Sequence, residues 1–225
     1  MSLPLTWTGE AAWRRHSCLR HVAFGTLAVL PWLAPAAPPD VVRVADHLPP
    51  DAVAAGSVAC RSAVQAAIDA AAVRGAVLEF PPIQIAASEA GWRLHSGLTV
   101  RMHGTTFVLG TNCAADGAVF HAQDVRDLTL EGGRIVGRND AWPDGVNIRG
   151  VHITGASSNV RIRDMHFHDL SSNGIGVFGA TNRPIRDVWI ENVVVENCCK
   201  RYPDYLSGEK SEKGSVREDQ GDVAL

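Results

Sequence analysis

The chain has 225 residues, of which 46% are hydrophobic and 20% charged, with a formal net charge of -3. That balance marks a globular rather than a disordered chain and allows one domain of ordinary size or a little more. It also carries no basic footprint for nucleic acid, so nucleic acid is excluded as a partner. Aromatic residues are only 6% while Gly reaches 21 residues, a mixture that suits many short strands and tight turns.

Residues 1–36 read as a signal peptide. Arg14, Arg15 and Arg20 form a positive segment, Val22 to Leu30 an apolar core, and Ala34-Pro35-Ala36 a small-residue cleavage site. The apolar run is too short for a stable membrane span, and Pro31 and Pro35 argue further against one. A secreted or periplasmic protein is the expectation. Cleavage would remove Cys18 and leave Cys60, Cys113, Cys198 and Cys199, none spaced as a zinc knuckle. Cys198 and Cys199 follow a predicted strand, so alternation should bury at most one of them.

Residues 37–56 read as a Pro-rich linker leading to an edge strand at Val41–Val44. A helix is predicted over Ser57–Gly75. Val64, Ala67, Ile68 and Ala71 share one face, with Ser57 as N-cap and Gly75 as the stop. Strands follow at Ala76–Phe80 and Ile83–Ile85, then a polar turn carrying Trp92, then strands at Gly97–Met102 and Thr106–Gly110.

From Ala118 to Asn197 one pattern of three short alternating runs is written three times. Gly97, Asp127, Asn159 and Asp187 each precede an apolar-x-apolar run, at a spacing of roughly thirty residues, which is a solenoid period. His121-Ala122, Gly155-Ala156 and Gly179-Ala180 are placed at one common corner. Three short strands per period cannot close a core alone, but stacked turns can, each strand pairing in parallel with its counterpart one turn away. The fold class is therefore all-β, a right-handed parallel β-helix over residues 57–225, with the helix capping its first turn. A β-sandwich should show hairpin turns such as Asn-Gly between adjacent runs, and Asn173-Gly174 is the only Asn-Gly pair. Asp222-Val223-Ala224-Leu225 reads as the first strand of another turn, aligned with Gly176-Val177-Phe178. The expectation is a β-helix truncated at that end, unless another subunit covers it.

Two segments resemble a known family. Val64-Gln65-Ala66-Ala67-Ile68-Asp69-Ala70-Ala71 with Val77-Leu78-Glu79-Phe80-Pro81-Pro82, and then Ser96-Gly97-Leu98-Thr99-Val100, resemble the opening of the pectate lyase superfamily. Within it they look most like the rhamnogalacturonase/epimerase-like domain. The likeness departs at Ile83, where the family has Gly and a Tyr-containing strand. It implies a β-helix acting on polysaccharide as a lyase, hydrolase or epimerase, with calcium as a cofactor in some members. Asp144-Gly145-Val146-Asn147 resembles part of the family's hydrolase motif, but Asn147 stands where a second Asp belongs. The Gly-His-Gly, Arg-x-Lys and Asp-Pro-His motifs of family members are absent.

Chemistry is expected on two excursions from the regular turns, Arg138–Gly150 and Lys200–Gly221. Asp140 and Asp144 are the candidate catalytic carboxylates, since glycoside hydrolysis needs two carboxyl groups at a set distance. Trp142, Tyr202 and Tyr205 are candidate platforms for sugar rings, and Arg201 a clamp for uronate carboxylates. His166 and His168 share an outward face opposite Met165 and Phe167, and Trp189 also faces outward. No metal site and no resident cofactor are predicted from these residues. The function expected is a carbohydrate-active protein, lyase or glycoside hydrolase-like, acting on uronate-containing polysaccharide. The alternative is a non-catalytic β-helix for polysaccharide binding or adhesion.

Overall fold

The computed structural model describes residues 38–199 together with Val223 and Ala224. The first strand, β1 (Val41–Arg43), is followed by a 3-10 turn at Val44–His47, a short helix α1 (Pro50–Ala54), β2 (Ser57–Val58) and the helix α2 (Arg61–Arg74). Strand triplets then succeed one another. They are β3 (Val77–Glu79), β4 (Gln84–Ala87) and β5 (Trp92–Arg93), then β6 (Thr99–Arg101), β7 (Thr106–Leu109) and β8 (Gly117–Gln123). Next come β9 (Arg126–Glu131), β10 (Arg134–Val136) and β11 (Ile148–Thr154), then β12 (Ser158–Arg163), β13 (His166–His168) and β14 (Ile175–Phe178). The last are β15 (Arg186–Glu191), β16 (Val194–Glu196) and β17 (Val223–Ala224).

Each triplet contributes one strand to each of three sheets. The first sheet has the order β1-β3-β6-β9-β12-β15, the second β2-β4-β7-β10-β13-β16, and the third β5-β8-β11-β14-β17. Every pairing between these strands is parallel. The molecule is thus a β-solenoid, as the period predicts.

Inward residues of all three sheets meet in a single apolar core. At its centre Phe107 packs against Phe80, Trp92 and Phe120, with ring centroids 5.3, 5.7 and 5.1 Å apart. Edge-to-face and tilted pairs of this kind favour a fixed arrangement over a fluid one. Helix α2 buries Val64, Ala67, Ile68 and Ala71, the face that the spacing predicts, and ends on Gly75 in a left-handed conformation, φ 61°.

The corners are turned by short polar residues. Asp127, Asn159 and Asp187 take φ of 56°, 53° and 55° at equivalent positions, and Gly97 shares that corner at 76°. Asp and Asn tolerate this region because their side chains hydrogen-bond locally. Here they also bond along the stack: the Asn159 amide donates to Asp127, the Asn192 amide to Asp164 at 2.6 Å, and the Asn197 amide to Asp169.

Several local expectations are corrected. Helix α2 begins at Arg61, not Ser57, because Ser57-Val58 pairs with Gln84-Ile85 and continues the second sheet. Cys60 holds the N-cap position without a side-chain cap bond. Trp92 is not on a polar turn; it lies in β5, opposite Phe120, and is 1% exposed. His121 aligns with His152 and Ala122 with Ile153, so His121-Ala122 sits within a strand and not at the Gly155 corner. Cys198 and Cys199 are both buried, because Cys199 has φ 56° and breaks the strand alternation. Val223-Ala224 does pair with Ile175-Gly176 in the third sheet. Among the described residues, no helix is long and apolar enough to cross a membrane.

Candidate functional site on the third sheet

The outward positions of the third sheet form a continuous groove. Two basins, of about 570 and about 360 Å³, share His121 and Gln123. In the larger, helix α2 supplies Arg61, Gln65 and Asp69 opposite Arg93 and His95. In the smaller, Arg149 and His152 of β11 face Asp116 and Thr154.

Backbone register explains this convergence. Arg93 of β5, His121 of β8 and His152 of β11 occupy the same outward position in successive turns. Stacked strands lie about 4.8 Å apart, so three side chains with polar heads line one row. The His121 and His152 rings are 6.3 Å apart by centroid, and His152 lies 5.5 Å from Phe178.

The larger basin is pre-organised. Arg61 Nε donates to the Gly91 carbonyl at 2.8 Å and its Nη2 to Ala90 at 3.2 Å. Gln65 bridges strand and helix, accepting from the Arg93 backbone N–H at 2.9 Å and donating to the Arg93 carbonyl at 3.0 Å. Asp69 pairs with His95 at 2.8 Å. Burial would raise the Asp69 carboxyl, but its bonds from His95 and Gln65 outweigh it and hold the group below its ordinary value.

The two central histidines are both disfavoured as cations. Burial, Arg149 and His121 push His152 down to about 4. Burial, with Arg61 and Arg93, also lowers His121, partly offset by bonds to the Glu89 and Ala118 carbonyls. Among the described residues Arg93 and Arg149 form no ion pair. The groove therefore presents imidazoles disfavoured as cations beside cationic guanidiniums, an arrangement suited to an anionic ligand.

Of the residues predicted from sequence, the three that the structure describes lie away from this groove. Asp140 is exposed and pairs with Arg138 at 3.3 Å, and Asp144 is exposed on the same loop. Neither lines the groove. Trp142 offers no face to a sugar: it is 1% exposed and its indole N–H donates to the Gly110 carbonyl at 2.8 Å, so it fastens the 137–147 loop to the core. Arg201, Tyr202 and Tyr205 lie outside the described residues. Arg61, Arg93, His121 and Arg149 were not singled out from sequence as site residues. The legible signal was the recurrence of His at matching positions of two repeats.

Two other outer faces are built differently. On the second sheet His166 and His168 point outward as expected, His166 bonding Glu196 at 2.8 Å and His168 bonding Asp169 at 2.6 Å. Among the described residues no group of three or more His, Cys, Asp or Glu is arranged to hold a metal ion. On the first sheet Arg43, Glu79, Arg101, Glu131, Arg163 and Glu191 form one column, alternating in sign. Glu131 is contacted by Arg163 at 3.1 Å, His103 at 3.3 Å and Arg101 at 4.0 Å. Trp189 is 41% exposed, with the Arg161 guanidinium 4.9 Å from its ring.

No protein-family model matches the chain, and no curated protein matches it. Among solved structures it is similar to a putative glycosyl hydrolase from Parabacteroides merdae, with TM-score 0.54 and 18% identity over 72% of this chain and 77% of that one. At that identity the likeness establishes the fold, a parallel β-helix.

Proposed function

We propose that the chain is a carbohydrate-active protein that binds uronate-containing polysaccharide along the third-sheet groove and cleaves it by β-elimination. One observation carries this reading: Arg93, His121 and His152 stand in one outward row with Arg149 beside them, and among the described residues neither arginine has an ion-pair partner. In such an elimination a base takes the C5 proton, which the neighbouring carboxylate makes acidic when it is neutralised. The C–H electron pair becomes the C4–C5 double bond, the C4–O bond breaks, and the departing oxygen takes up a proton from solvent. His152 is the candidate to accept the C5 proton: its imidazole is available unprotonated at neutral pH, although a value of about 4 makes it a weaker base than an ordinary histidine. Planar guanidiniums pair with carboxylates through two parallel bonds and stabilise the charge that develops on them.

Hydrolysis instead requires two available carboxyl groups. Asp69 is engaged by His95 and Gln65, and Asp116 accepts from the Asn147 backbone N–H at 2.8 Å. The same donor set does not fit calcium, which takes six or more oxygens and would lie beside cationic guanidiniums. Export through residues 1–36 and a capping role for α2 at the first turn belong to the same proposal. The putative glycosyl hydrolase named in the structural likeness is in keeping with a carbohydrate ligand, not with elimination.

The test is incubation with polygalacturonate, alginate and rhamnogalacturonan. Rising ultraviolet absorbance from unsaturated products is expected on at least one. New reducing ends without that absorbance would replace elimination by hydrolysis, and a role for Asp140 and Asp144 would then be the first to examine. Binding without products would leave the adhesion reading.

A further inference from the structure

The smaller basin contains an unmet demand for an anion. Arg149 lies on β11 next to Ala118 of β8, and its guanidinium carbon is 5.2 Å from the Phe178 ring centroid. Its Nε is buried and has no hydrogen-bond partner among the described residues. A buried donor without an acceptor costs free energy unless a ligand or water supplies one, and a buried charge costs more.

The surroundings hold that guanidinium in place without satisfying it. Gly176 on β14 stands opposite His152, and a Cβ there would come within 2.5 Å of the Phe178 ring and 3.1 Å of Arg149 Cδ. Only a glycine leaves room for the arginine stem and the ring to cross over the strand. Arg149 and His152 thus both lie against Phe178, 5.2 and 5.5 Å from its ring centroid. Asp116, the acidic residue of this basin, is turned to the Asn147 backbone and makes no ion pair with Arg149. A basin of about 360 Å³ has room for one sugar ring.

We propose that Arg149 is the anchor of a monosaccharide-sized subsite that takes the carboxylate of a single hexuronate residue, with Phe178 backing the guanidinium and His152 facing the ring beside it. This rests on the reading of the groove as a uronate site, but it makes a narrower claim: acidic sugar is selected over its neutral counterpart at this one position.

Titration with free galacturonate and, separately, with galactose checks it, followed through the His152 ring resonances by NMR and by calorimetry. Galacturonate is expected to perturb His152 and to bind at least about tenfold more tightly than galactose, in line with one charge-assisted hydrogen bond. Arg149→Met keeps the stem against Phe178 and should abolish that preference, while Arg149→Lys should retain part of it; melting curves of both variants verify folding. Equal binding of the two sugars, or galacturonate binding that survives Arg149→Met in a folded protein, overturns the subsite. Failure of all three polymers to be cleaved, with galacturonate still selected through Arg149, overturns elimination and leaves the subsite standing.

Discussion

The outer faces of the first and third sheets are made from the same kinds of residue and reach opposite ends. On the first, every cation in the column has an anion in register, and Glu131 is gripped by Arg101, His103 and Arg163. On the third, Arg93 and Arg149 have no such partner among the described residues, and the histidines beside them resist protonation. One face is electrostatically finished by the chain itself. The other is completed only by something outside it, and this difference locates binding better than the presence of charge alone.

The largest expected effect lies on the unfinished face. His152→Gln should lower the rate of unsaturated-product formation by about a hundredfold or more, the usual cost of losing a general base. Product absorbance and a melting curve would be recorded on the same sample. Glu131→Gln should leave that rate within twofold and instead lower stability by about 1 kcal/mol, as for a networked surface ion pair. A large rate effect there would erase the contrast between the faces.

Acid should separate wild type from His152→Gln more gently. The folded imidazole is held at about 4, below its ordinary value, so its unprotonated form is favoured by folding. The corresponding stability is fully present above about pH 6.5 and is lost as pH falls toward 4, where the unfolded chain binds a proton that the folded one resists. The melting temperature of wild type should therefore fall further across that interval than that of His152→Gln. The smallest effect concerns a buried thiol in the turn between β7 and β8. Burial and the Glu89 side chain push the Cys113 thiol up to about 11, so alkylation by iodoacetamide should be slower there than at the more exposed Cys60.

Much of the scaffold was legible because its signals are local and periodic. The thirty-residue recurrence of Gly97, Asp127, Asn159 and Asp187 is a recurrence of left-handed backbone, which few residue types adopt without strain. The apolar face of α2 follows helical spacing. What escaped depended on neighbours in space. Nothing in the sequence around Trp142 tells that its indole reaches Gly110, thirty-two residues earlier. A two-residue strand such as Trp92-Arg93 is too short to have a period, and only its pairing with Phe120-His121 defines it. The groove was missed for the same reason: Arg61 comes from a helix, whereas Arg93 and Arg149 lie on strands of different turns, brought together by the stack.

The sign alternation of Arg43, Glu79, Arg101, Glu131, Arg163 and Glu191 also sets a parity rule for how such a chain can grow or shrink. The backbone repeats every turn, but the charges repeat every second turn. At the corner the three turns after Gly97 carry Asp127, Asn159 and Asp187, one amide between two carboxylates. Duplicating or deleting a single turn would keep every β-pairing yet set arginine against arginine or carboxylate against carboxylate. Changes of two turns at once preserve both, so length variants of this solenoid should be tolerated in even steps.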